Sequence, residues 1–206
     1  MMIKEIGGRV ASVWEGLRPL TKKMLVGVLQ SNGPATSSIK GTKFSYDAHA
    51  DWEVSRLLTA LDEQSKTKET RGDPEKLAEI NQLASACARV LEAQSASAEV
   101  FIQLAEREIK TNNYVRLDKL ADNLAQRYTA GEIAEIVRQT EVPQIRAIAY
   151  ETLAMMPIQS ILPLLDDPLY TGIATGALEQ KAYEFESEEA RDILDQLEAE
   201  AGPSGD

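Results

Sequence analysis

The chain has 206 residues, of which 43% are hydrophobic and 27% charged, and this composition excludes wholesale disorder. Its single cysteine and single histidine exclude an internal disulfide and the usual Cys/His zinc sites, and they fit a reducing compartment. Aromatic residues make up only 5%, whereas Ala, Leu, Glu and Gln are frequent, so the composition predicts an all-α fold.

The net charge of −11 is unevenly distributed along the chain. Residues 1–43 carry seven basic and two acidic groups, whereas the remainder carries 15 basic and 31 acidic groups. An acidic body repels phosphate backbones, which argues against DNA or RNA as the main ligand. The basic N-terminal part is the segment expected to meet an anionic partner.

Residues 3–28 place apolar side chains three, four or seven positions apart, which predicts an amphipathic helical arm. Pro19 inside one long helix would cost roughly 3 kcal/mol, so two helices meeting near Pro19 are expected. A basic amphipathic helix is typical of a segment that docks on a partner or on an anionic membrane surface. The alternative is that its apolar face packs on the rest of the chain. On the docking interpretation, the contact residues are Val10, Val13, Trp14, Leu17, Arg18, Lys22 and Lys23.

Residues 31–50 lack periodicity and begin with a turn signal, so we predict a flexible linker there. Lys40-Gly-Thr-Lys43 lacks the spaced pattern of a phosphate-binding loop, and nucleotide binding is not expected. The only histidine, His49, falls in this predicted linker, so a hydrolytic triad would lack a positioned base.

Helix starts are predicted from local capping chemistry. Asp51 is expected to cap a helix running to Ser65, with Trp52 facing inward. Cys87 is expected on a buried stripe rather than as a nucleophile. The other predicted starts are Asp73-Pro74, Thr129 with Glu132 as a capping box, Pro143, Ser160 with Pro163 in the first turn, Asp167-Pro168, and Ser187.

The segment from 115 to 197 contains an approximate internal sequence repeat. Ile148–Leu153 reappears as Ile173–Leu178, 25 positions later, and Ile133, Ile136 and Val137 recur as Ile161, Leu164 and Leu165. These segments resemble the short-period HEAT repeats of α-solenoid proteins.

The resemblance implies antiparallel helix pairs stacked side by side. Arg146 occupies the position where such repeats often carry an arginine, but Thr171 stands there in the next unit. A short HEAT-like solenoid and a generic helical bundle therefore both remain open. The predicted organisation is an arm over 1–30, a linker over 31–50, a helical domain over 51–200 that folds without residues 1–50, and a disordered tail over 201–206.

The leading functional hypothesis is a non-enzymatic scaffold or adaptor that presents an acidic surface to another protein, with the arm as its main recognition element. The alternative is an accessory subunit of a membrane-associated complex, tethered by the arm. A third class, a small-molecule-binding or lyase-like helical protein, stays open because helical bundles can enclose pockets and some proteins with HEAT-like repeats act as lyases. No catalytic, cofactor-binding or metal-binding residue is predicted, because acidic pairs such as Asp166/Asp167 suit helix caps. A cytoplasmic location is expected, with the membrane periphery as its alternative.

Overall fold

The computed structural model describes residues 6–30 and 46–201, and these residues form helices and no strand. The predicted all-α fold is therefore confirmed. Most of the predicted linker and the predicted disordered tail lie outside the described residues. The chain divides into two compact units, residues 1–95 and residues 96–206. Among the described residues, no helix is long and apolar enough to cross a lipid bilayer.

The helices of the first unit are α1 (Gly8–Gly16), α2 (Pro19–Gln30), α3 (Ala48–Gln64), α4 (Lys68–Arg71) and α5 (Pro74–Gln94). The predicted break in the N-terminal arm is confirmed, because α2 begins at Pro19, where the missing N–H needs no intrahelical partner. Helix α1 packs against α3, α2 packs against both α3 and α5, and α3 packs against α5.

The apolar stripe of the N-terminal arm is buried in the first unit. Its buried members are Ile6, Val10, Val13, Leu17, Met24 and Val28; Leu25 is buried with them, and Trp14 is half-buried. The unit boundary therefore falls after residue 95 rather than after residue 50, because α1 and α2 bury their apolar faces together with α3 and α5.

The start of α3 differs from the prediction. Asp47, not Asp51, is the N-cap, and its Oδ1 accepts a hydrogen bond from the Ala50 backbone N–H at 2.8 Å. Residues 46–50 thus hold the cap and the first turn of α3, including His49, rather than the end of a linker. Trp52 was predicted to face inward but is 55% exposed. Its position lies off the buried stripe of this helix, which is formed by Ala50, Val54, Leu57 and Leu61.

The helices of the second unit are α6 (Ala98–Lys110), α7 (Tyr114–Arg127), α8 (Ala130–Gln139), α9 (Pro143–Met155), α10 (Ile158–Ile161), α11 (Thr171–Tyr183) and α12 (Glu188–Ala201). A 3₁₀ turn, Leu162–Leu164, follows α10. Helix α8 packs against α6 and α9, α9 packs against α7 and α11, and α11 packs against α12.

Several of the positions that recur in the sequence are core positions in the second unit. Ala149 and Leu153 of α9 are fully buried, as are Ala174 and Leu178 of α11. The paired positions Ile133 and Ile161, and Ile136 and Leu164, are buried as well. The sequence repeat thus marks residues with the same packing role in successive helices, whereas membership of the HEAT-like class stays a prediction.

Two predicted caps are confirmed by their hydrogen bonds. The Asp73 carboxylate accepts the Lys76 backbone N–H at 3.0 Å, and the Thr129 hydroxyl accepts the Glu132 backbone N–H at 3.2 Å. The Glu132 carboxylate in turn accepts the backbone N–H of Ala98 at 2.9 Å, which satisfies a donor at the start of α6. Pro143 opens α9, and Ser187 caps α12 through the Ala190 N–H, both as predicted.

Replacing either confirmed cap, Asp73→Ala or Thr129→Ala, is expected to lower the free energy of unfolding by about 0.5–2 kcal/mol, because each loss leaves a helical N–H without its acceptor. Urea unfolding followed by far-UV circular dichroism measures the effect. Asp122→Ala and Asp195→Ala, at exposed helix positions, are controls expected to change stability by less than about 0.5 kcal/mol. Wild-type midpoints in both cap variants would contradict the prediction.

The two remaining predicted helix starts are wrong. Helix α10 begins at Ile158, so Ser160 lies inside it, and Pro163 falls in the 3₁₀ turn. Asp167 accepts the Leu169 backbone N–H at 2.9 Å, a side-chain turn spanning two residues, and α11 begins only at Thr171. Short polar side chains stabilise turns as readily as helix starts, which is why the local signal was ambiguous.

Candidate functional site

The residues predicted for docking divide into buried and accessible groups. Val10, Val13 and Leu17 are buried in the first unit, so the structure gives them a packing role. Lys23 is exposed, and Trp14, Arg18 and Lys22 are half-buried. The docking role of the arm stays a prediction, and in this conformation its apolar stripe is covered by the chain itself.

Arg18 belongs to a polar cluster built around a buried carboxylate. Glu53 on α3 is only 1% exposed. It accepts hydrogen bonds from the Arg18 backbone N–H at 2.6 Å, from Arg18 Nε at 2.9 Å and from Thr21 Oγ1 at 2.5 Å. A buried carboxylate is tolerated only with such partners, because its transfer out of water is costly.

The same arginine extends the cluster to Asp47. Its two terminal nitrogens donate to the two Asp47 carboxylate oxygens at 3.1 and 2.8 Å, in a bidentate pair. We call Arg18, Thr21, Asp47 and Glu53 the Arg18 cluster. Because Asp47 also caps α3, the cluster fixes the junction of α1 and α2 to the start of α3. His49 lies beside it, with Nε2 3.8 Å from Glu53 Oε1.

The cluster shifts the acidity of both carboxyl groups. Burial acts to raise the pKa of Glu53, but the hydrogen bonds from Thr21 and Arg18 outweigh it, and the net pKa is lowered. The hydrogen bonds from Arg18 and from the Ala50 backbone hold the pKa of Asp47 well below its usual range. The same two carboxylates raise the pKa of the Arg18 guanidinium. All three groups are therefore charged at neutral pH.

Stability of the first unit is expected to fall as the pH drops below about 4.5, the ordinary pKa of a glutamate. The folded pKa of Glu53 is lower than its unfolded pKa, so its contribution is present above that value and is lost as pH falls through the folded pKa. Urea midpoints measured between neutral and acidic pH test this. The difference in urea midpoint between the wild type and Glu53→Gln should become smaller as the pH falls. A difference that stays constant would contradict the assignment.

A second polar cluster lies in the second unit and joins α8 to the turn before α11. Glu135 accepts hydrogen bonds from Arg138 at 2.6 and 2.5 Å and from the Tyr170 hydroxyl at 2.8 Å. The Arg138 hydrogen bonds are the main cause that lowers the pKa of Glu135 to about 2. The network ties the irregular 165–170 segment to α8, which is a structural role.

An accessible concavity in the second unit is a groove of about 510 Å³ between α9 and α11. We call it the acidic groove. It is lined by two tyrosines, three glutamates, one glutamine, one alanine and one glycine: Ala147, Tyr150, Glu151, Gly176, Glu179, Gln180, Tyr183 and Glu184.

Three local features shape this groove. A Cβ at Gly176 would lie 3.4 Å from Tyr150 Cε1, so the glycine lets the Tyr150 ring approach the α11 backbone. Tyr183, at the end of α11, is 73% exposed. Gln180 Nε2 donates to Glu184 Oε2 at 2.9 Å and orients that carboxylate. Carboxylates and tyrosine faces together are complementary to a cation.

The second unit as a whole is acidic, as the groove is. Residues 96–206 carry nine basic and 21 acidic groups, a net charge of −12 that accounts for the whole negative balance of the chain. Such a field raises the local concentration of cationic ligands and increases their association rate.

Two further sequence expectations concern ligand chemistry. Cys87 is buried on α5, as predicted for a core residue. Within residues 6–30 and 46–199, no three His, Cys, Asp or Glu side chains are grouped closely enough to hold a metal ion.

Comparison with protein families, with curated proteins and with solved structures found no match to this chain. Function is therefore inferred from the chain's own surfaces, among them the acidic groove.

Proposed function

We propose that the chain is a non-enzymatic scaffold or adaptor, built on HEAT-like helix pairs, whose acidic groove binds a basic segment of another protein. The observation that carries the proposal is the combination of three glutamates with two tyrosines in one groove on an acidic unit. With a single cysteine, the chain suits a reducing compartment, and we propose a cytoplasmic role.

The size and position of the groove support a peptide-like ligand. A volume of about 510 Å³ accommodates a few side chains of an extended or helical segment. Stacked helix pairs expose such faces while their cores stay continuous, which is how repeat proteins commonly bind partners. Tyrosine contributes large contact area at low entropic cost, and interface hot spots are enriched in it.

The proposal is tested with a short fluorescent peptide rich in lysine and arginine, together with a counterpart carrying glutamate at the same positions. The double variant Glu179→Lys/Glu184→Lys is expected to bind the basic peptide at least about tenfold more weakly, and Tyr183→Ala is expected to weaken it as well. The matched control is Asp192→Lys/Asp195→Lys on α12, which makes the same change in net charge at exposed positions.

The control distinguishes binding in the acidic groove from a general attraction by the negative charge of the chain. If both double variants weaken binding equally, only net charge matters and the groove has no specific role. Binding of the acidic peptide as tightly as the basic one would also contradict the proposal.

A further inference from the structure

A second groove, of opposite chemical character, lies between α1 and α3 in the first unit. We call it the arginine groove; it has a volume of about 270 Å³ and is lined by Arg9, Ser12, Val13, Arg56 and Thr59. Helix α1 runs antiparallel to α3, because Arg9 pairs with Glu63 near one end and Arg18 bonds to Glu53 near the other. This register brings residues 12 and 13 beside residues 56 and 59.

The lining of this groove favours an anion. Of its described lining residues, two carry guanidinium groups and none carries a carboxylate; two carry hydroxyls, of which that of Thr59 donates to the Ser55 carbonyl at 3.0 Å. Guanidinium groups bind phosphate oxygens through paired N–H donors in a geometry that lysine does not offer.

The two arginines are oriented differently. The Arg56 guanidinium carbon lies 5.2 Å from the centroid of the Trp52 ring, a cation–π contact that restricts the rotamers of this arginine. Arg9 forms an ion pair with Glu63, and the two side chains are 66% and 48% exposed. Exposed ion pairs are weak, so a doubly charged anion can displace Glu63 from Arg9.

The distribution of charge in the first unit indicates whether the arginine groove suits a single anionic group or an extended anionic surface as its ligand. Residues 1–95 carry 13 basic and 12 acidic groups, so the basic character is local. Membrane surfaces and nucleic acids attract proteins through several cations spread over a face, whereas one phosphate needs only one site. A volume of about 270 Å³ leaves room for one phosphate group with some retained water.

We propose that the arginine groove binds the phosphate of a phosphorylated serine or threonine in a segment of a partner protein. Arg9 and Arg56 contact the phosphate from opposite helices. The exposed ring of Trp52, which positions Arg56, offers an apolar surface to a neighbouring side chain of the same segment. This site is separate from the acidic groove and does not depend on the function proposed for it.

The test uses the full chain with inorganic phosphate and with a phosphoserine peptide, compared with the same peptide carrying unmodified serine. Amide chemical shifts locate the site, and isothermal titration measures affinity. Arg9→Gln and Arg56→Gln are each expected to weaken phosphopeptide binding about tenfold. Glu63→Gln is expected to tighten it about threefold, because the competing carboxylate is removed. Arg71→Gln, at an exposed position on α4 outside the groove, is the control expected to change affinity less than twofold.

The opposite sign expected for Glu63→Gln protects the test from variants that merely unfold, since general destabilisation would weaken binding in every case. Circular dichroism of each variant confirms the fold. The proposal is overturned if Arg71→Gln weakens binding as much as Arg56→Gln, or if the serine peptide binds as tightly as the phosphoserine peptide. It is also overturned if phosphoinositide-containing vesicles bind through Arg9 and Arg56 while the phosphopeptide does not.

Discussion

Deleting residues 1–30 is expected to unfold the first unit and to leave the second unit folded. Seven large apolar side chains of the arm are buried against the rest of this unit. At about 1.5–3 kcal/mol for each fully buried side chain, their burial contributes roughly 10–20 kcal/mol, an upper bound because unfolded chains are partly compact. The total stability of a domain is about 5–15 kcal/mol. The remaining helices of the first unit therefore have too little buried apolar surface to stay folded.

Amide hydrogen exchange and thermal melting of three chains, 1–206, 31–206 and 96–206, measure this effect. In 31–206, amides of α3 and α5 are expected to lose protection while those of α8, α9 and α11 keep it. The 96–206 chain is the matched control and should retain a cooperative transition, since it contains the whole second unit. Protected α3 and α5 amides in 31–206 would contradict the expectation and would support the sequence-based prediction that 51–200 folds without the arm.

The helix starts show which parts of the fold are readable from sequence. Asp73 and Thr129 were placed correctly because a cap is a contact between residues three apart. At α3 the chain offers two aspartates, Asp47 and Asp51, and local chemistry cannot choose between them. Which of the two aspartates caps the helix depends on partners that are distant in sequence. Arg18 binds Asp47, and the Ser95 hydroxyl donates to the Asp51 carboxylate at 2.9 Å.

The candidate sites were less predictable for the same reason. The sequence shows that the arm has an apolar stripe and a basic face, but it does not show which residues lie against each of them. Arg18 was assigned to docking because its principal partner, Glu53, lies 35 positions away. The acidic groove was missed because Tyr150 and Tyr183 come from two helices that meet only after packing. A signal was present, since Tyr150 and Gly176 both lie within the two repeated segments, but periodicity alone does not indicate a groove.

Replacing Glu53 with alanine is expected to lower the free energy of unfolding of the first unit by about 2–4 kcal/mol. Removing one partner of a buried ion pair typically costs about 3–5 kcal/mol. The Arg18 side chain is 39% exposed, so water and Asp47 compensate part of the loss. The Thr21 hydroxyl and the Arg18 backbone N–H lose their shared acceptor, and unsatisfied buried donors cost about 1–3 kcal/mol.

The chain provides its own reporter for this measurement, because both of its tryptophans, Trp14 and Trp52, lie in the first unit. Urea unfolding followed by tryptophan fluorescence therefore reports on that unit. Glu63→Ala is the matched control: the same change, on the same helix, at a carboxylate that is 48% exposed, expected to alter stability by less than about 0.5 kcal/mol. Thr21→Val, which removes one donor and leaves the carboxylate paired with Arg18, should fall between the two. Equal midpoints for Glu53→Ala and Glu63→Ala would mean that the buried carboxylate does not anchor α1 and α2 to α3.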